Sequence, residues 1–174
     1  MTSRPTEAEY ASSFSGYVSL VPEPDVLAVL AGQPSELARL SSLVPADRER
    51  FRYADGKWTI REVFGHLIDG ERVFSYRAFC ISRGEETSLP AFDEGEYVRA
   101  SQYDGQPLED LVSEFTAVRQ AALAFLRRLD GRAWERIGTA NNNPASVRAL
   151  AFIMAGHVRH HFAVLRDRYG VHPG

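Results

Sequence analysis

The sequence predicts an all-α protein, a four-helix bundle with a long connection between its second and third helices. Three observations carry this expectation. Apolar residues recur at three- and four-residue spacing in four long runs. Capping residues and terminal glycines bracket those runs. No segment shows the strict alternation of a half-buried strand, and there is no internal repeat. At 174 residues the chain is long enough for one domain with a substantial core.

Residues 1–24 read as an irregular lead-in, with Pro22 and Pro24 at its end and Tyr10, Phe14 and Tyr17 as aromatic anchors. The bundle domain occupies residues 25–174. Asp25 is a plausible N-cap for the first helix, whose apolar stripe holds Val26, Leu30, Leu37 and Leu40. Gly32 and Pro34 fall inside it, which predicts a kink or a break into two pieces. Thr59 and Glu62 have the spacing of a capping box and open the second helix, which reaches about Arg83 and stops at Gly84. Residues 85–106 form the long connection, with a short helix expected around Phe92–Tyr97. Loops longer than ~12–15 residues are uncommon in compact domains and often functional. Pro107 suits the first turn of the third helix, which carries Leu111, Phe115, Ala122 and Leu126 and ends at Asp130-Gly131. A short linker follows. Asn143 and Pro144 read as the N-cap and first turn of the fourth helix, which runs to Tyr169 and stops at Gly170.

Composition excludes several functions. The chain is 44% hydrophobic and 25% charged, with a formal net charge of -3. That balance speaks against a nucleic-acid partner, which calls for a basic face. No apolar run approaches the ~18 residues needed to span a bilayer, and the polar N-terminus has no signal-peptide core. The single cysteine, Cys80, allows no internal disulfide. The expectation is a cytoplasmic protein acting on a small molecule.

The chemistry concentrates in Ala155-Gly-His-Val-Arg-His-His-Phe162. His157 and His161 are four residues apart, so both imidazoles lie on one face of the fourth helix, in line with Leu150, Ile153 and Val164. Two ligands do not hold a metal in water, and His66 of the second helix is the obvious third. Three histidines leave a further position for water or substrate, the pattern of a catalytic metal site. Imidazole suits zinc, nickel, iron or copper. Buried, hydrogen-bonded histidines are the plain alternative for all three. His160 points beside the site, by about 60° on the helical wheel. Asp69 is placed to orient a histidine or a bound water, or else is a solvated helix residue. Arg77 can meet an anionic substrate group, although pairing with a nearby acid is the simpler reading. Gly70 and Gly156 leave room for a ligand or for close helix packing.

Gly56-Lys-Trp-Thr-Ile-Arg-Glu62, Gly65-His-Leu-Ile-Asp-Gly-Glu71, Tyr76-Arg77 and the late Gly156-His-Val-Arg-His-His161 together resemble the DinB-like (DNA-damage-inducible B) superfamily over roughly residues 25–170. The resemblance is closest to its branch of metal-dependent hydrolases and bacillithiol S-transferases. It implies a divalent ion, zinc or nickel first and manganese or iron next, held by His66, His157 and His161. It implies a homodimer, and a low-molecular-weight thiol as co-substrate. The function it implies is transfer of that thiol to small electrophiles. The alternatives are a hydrolase in which the ion activates water, and a non-catalytic metal- or ligand-binding stress protein.

Overall fold

The structure is a computed structural model that describes residues 3–172. The lead-in contains two 3-10 turns and a short helix, α1 (Ser15–Ser19). Then come α2 (Val26–Ser41), α3 (Ile60–Ser82), α4 (Glu94–Ala100), α5 (Leu108–Leu126), α6 (Gly131–Glu135), a hairpin of β1 (Ile137–Ala140) and β2 (Asn143–Ser146), and α7 (Val147–Tyr169). The long helices α2, α3, α5 and α7 are the bundle.

The caps explain the boundaries. The Asp25 carboxylate accepts from the Ala28 N–H, and Thr59 and Glu62 form the expected reciprocal box. Gly84 and Gly170 take positive φ, where a Cβ would be strained, and end α3 and α7. Asp93 caps α4 and Asp130 caps α6.

Each of α2 and α3 packs on both α5 and α7. The chain therefore moves to a diagonal corner between α2 and α3. Glu71 meets Arg119 and Phe79 meets Phe125, so α3 and α5 run parallel. Two neighbouring parallel helices require a link that travels the length of the bundle, and residues 83–107 supply it. His66 and Gly70 meet His161 and His157 respectively, which makes α3 and α7 antiparallel.

The core has two halves. One gathers Val26, Leu30, Phe74, Ile81, Leu126 and Leu150; the other gathers Leu37, Leu67, Phe115, Phe162 and Leu165. Between them lies a buried polar layer to which all four long helices contribute. Arg119 forms a bidentate pair with Glu71 at 2.7 and 2.8 Å. Its Nη1 also donates to Gln33 Oε1 at 2.6 Å and to the Leu30 carbonyl at 3.1 Å. Gln33 Nε2 in turn donates to the Ala155 carbonyl at 2.7 Å.

Of the expected kink or break in the first helix, this layer overturns the break into two pieces. Pro34 has no N–H for the Leu30 carbonyl, four residues back. Arg119 supplies that donor from α5, and α2 runs unbroken through Pro34. The expected start of the fourth helix is also corrected. Asn143 and Pro144 lie in β2, and the N-cap is Ser146, whose hydroxyl accepts from the Ala149 N–H. Asn141 and Asn142, with φ of 50° and 58°, make the two-residue hairpin turn.

Candidate metal centre

His66 stands in the second turn of α3, within the buried run that begins at Val63, and His157 and His161 stand in successive turns of α7. The antiparallel contact of these helices brings the three rings into a nearly equilateral triangle. Ring centroids are 4.8 Å apart for His66 and His157, and 4.7 Å for each of the other two pairs. One ring nitrogen from each residue lies within 4.8 Å of the others. His66 Nε2 and His157 Nε2 face each other at 2.8 Å.

Glycine permits the approach. A Cβ on Gly70 would stand 2.8 Å from His157 Cε1. A Cβ on Gly156 would stand 1.9 Å from the Tyr17 carbonyl oxygen, so that glycine admits the α1 backbone against α7. Gly70 thus makes room for a ring of the triad, and Gly156 serves close packing. Trp58 packs on His66 with centroids 4.7 Å apart, while Tyr17 and Phe74 meet the edge of His157.

The electrostatics favour neutral rings. Burial, with the neighbouring His160 second, holds His66 down at about 4. Burial, and then the other histidines, hold His157 and His161 well below the ordinary imidazole range. A neutral imidazole has one lone pair to give, the form in which histidine ligates metals. His66 Nδ1 and His161 Nδ1 are buried without a hydrogen-bond partner among the described residues. Polar atoms left so are costly, and three converging imidazoles with no carboxylate among them form a donor set suited to a borderline cation. The residues fit a metal ion.

The remaining candidates are placed differently. His160 is exposed and outside the group of three, with its ring 5.4 Å from that of Tyr17. Asp69 makes no hydrogen bond to a histidine. Its Oδ1 accepts from the Tyr103 hydroxyl at 2.6 Å, and burial pushes its carboxyl up. Arg77 has no acid partner among the described residues, contrary to the simpler expectation. It donates to the Pro90 carbonyl at 2.7 Å. Glu62 is a capping residue. The polar layer of Gln33, Glu71 and Arg119 was missed, although each interrupts an apolar stripe: Arg119 follows Phe115 by four residues and precedes Leu123 by four.

The triad opens on a cavity of about 360 Å³. Aromatic side chains from four segments wall it, among them Phe14, Tyr17, Trp58, Phe74 and Phe92, and Arg77, Glu94 and His160 also line it.

A family model described as the DinB superfamily matches residues 30–165. The chain belongs to the DinB superfamily. Among DinB relatives, YfiT of Bacillus subtilis strain 168 is 33% identical over 104 residues, 60% of this chain and 52% of that protein, so the match spans about half of the relative's length. The solved structure of YfiT, reported as "a probable metal-dependent hydrolase with an unusual four-helix bundle topology", superposes with a TM-score of 0.75 at 18% identity, covering 97% of this chain and 94% of that one. A mycothiol-dependent maleylpyruvate isomerase gives 0.63 at 19% identity, covering 88% and 67%. The DinB-like protein YjoA of Bacillus subtilis gives 0.59 at 16%, covering 85% and 92%. These likenesses establish the DinB bundle, and among the described residues no helix is long and apolar enough to cross a membrane.

Proposed function

We propose that this DinB protein is a metal-dependent enzyme that transfers a low-molecular-weight thiol to small electrophiles, with His66, His157 and His161 as the metal ligands. The observation that carries the reading is the position of three buried imidazoles on the wall of an aromatic cavity of about 360 Å³. Pockets for small organic ligands run to about 300–1,000 Å³, and this space lies in that range. A divalent ion held there supplies Lewis acidity, lowering the pKa of a thiol or a water that reaches it. The protein's own part is to orient and exclude. Gly70 lets the His157 ring into place, and Trp58 and Phe74 hold the His66 and His157 rings from the side. The aromatic walls take the apolar part of a substrate and limit competing water.

The second reading is a hydrolase, favoured by the description given to YfiT. One assay separates them. The zinc- and nickel-loaded protein is offered a panel of small electrophiles, including esters and amides, with and without low-molecular-weight thiols. Transfer predicts consumption that needs both metal and thiol. Equal consumption without thiol makes the protein a hydrolase, and none on any substrate leaves it a non-catalytic binder.

A further inference from the structure

Arg77 is a buried cation without a counter-ion among the described residues. It lies about three helical turns, or ~16 Å of helix axis, beyond His66 and on the same side of α3. The same cavity is lined by all three histidines of the triad and by Arg77. The side chain is 6% exposed and lines the cavity. Its hydrogen bond to the Pro90 carbonyl uses one of five donors. No described carboxylate is within ion-pairing distance of it. Burial lowers its pKa below the ordinary arginine value, with no opposing acid.

The arginine is also held in place. Leu89 N–H donates to the Thr139 carbonyl and Asn141 N–H to the Leu89 carbonyl, each at 2.9 Å. These bonds fasten the long connection to β1 and fix the neighbouring Pro90 carbonyl that orients Arg77. Glu94 is the carboxylate on the cavity wall, and its charge acts on Tyr17, behind burial as the second cause of that phenol's raised pKa. Desolvating a guanidinium is costly unless a partner arrives, and a planar guanidinium matches a carboxylate through two parallel hydrogen bonds.

We propose that Arg77 anchors a carboxylate subsite: the cavity takes a small ligand with a carboxylate at one end and its reacting atom at the other, near the histidines. The inference deepens the reading of the triad as a small-molecule metal centre. The carboxylate can belong to the thiol or to the electrophile.

The test uses matched acid and amide probes titrated calorimetrically into the zinc-loaded protein: 3-mercaptopropionate against 3-mercaptopropionamide, and crotonate against crotonamide. In the unaltered protein, one acid binds roughly ten- to hundredfold more tightly than its amide. Whichever pair shows the preference identifies the source of the carboxylate. Arg77→Met abolishes the preference and leaves zinc content unchanged; Arg77→Lys, which keeps the charge and loses the fork, retains part of it and serves if the methionine variant does not fold. Equal binding of acid and amide in both pairs overturns the proposal, as does a preference that survives in Arg77→Met, since the carboxylate would then be seeking the zinc. If the protein holds no zinc, the metal reading fails, and the acid–amide comparison still decides the role of Arg77.

Discussion

Replacing Arg119 by methionine tests whether the polar layer holds the bundle together. The substitution keeps the aliphatic bulk and removes every donor. Glu71, 2% exposed, then loses bonds of 2.7 and 2.8 Å and is left as a buried charge without a partner. The Leu30 carbonyl, already deprived of an N–H by Pro34, loses the Arg119 donor, and Gln33 Oε1 loses a 2.6 Å bond. Breaking a buried ion pair on one side costs about 3–5 kcal/mol. For a chain of this length that is a fall in Tm of roughly 6–20 °C, from about 2–4 °C per kcal/mol. Urea unfolding followed by far-ultraviolet circular dichroism measures it, as a lower midpoint at unchanged m. Glu71→Leu combined with Arg119→Met removes the stranded charge and recovers the part of the loss that it causes. It still leaves two carbonyl oxygens without the Arg119 donor, at about 1–3 kcal/mol each. A single variant within about 1 kcal/mol of the parent, or a double variant as damaged as the single, would refute the reasoning.

Two further outcomes follow from the geometry. Gly70→Ala puts a Cβ 2.8 Å from His157 Cε1 and should displace that ring, weakening metal binding roughly 10–100-fold, the range seen when a ligand's support is lost; competition with a chelator reads this, and unchanged affinity would mean the ring position is immaterial. Glu9 is held at about 2, because bonds from Arg148, Thr6 and Ser146 outweigh the burial that pushes it up from 4.5. Its folded pKa lies below the unfolded value, so its contribution is complete above about pH 4.5 and is lost as pH falls toward about 2. Glu9→Gln should therefore flatten the fall of Tm across that window, and parallel curves for the two proteins would contradict it.

Much of the bundle was legible because its signals are local. Asp25, the Thr59–Glu62 pair, Gly84 and Gly170 each act within one helical turn, and all mark the ends they announce. His157 and His161 share a face by spacing alone, and the structure adds His66 to them. What escaped depends on distant partners. Pro34 is tolerated because Arg119, eighty-nine residues beyond Leu30 in the chain, donates to the Leu30 carbonyl in its place. Asn143-Pro144 carries the residue types of a helix start, yet pairing with β1 draws it into a strand, and the cap passes to Ser146. The hairpin's own signal, two asparagines able to take positive φ, sat in plain view at Asn141-Asn142. Arg77 could not be separated from an ordinary ion-paired arginine until the cavity and the absence of a described acid were known.

The most direct test is the metal content of four single variants beside the parent protein, each loaded with zinc or nickel, desalted and assayed by elemental analysis with its fold checked by circular dichroism. If the triad is the metal site, His66→Ala, His157→Ala and His161→Ala each lose bound metal, and His160→Ala keeps it. Equal loss in His160→Ala, or full metal content in any of the other three, would contradict that ligand set.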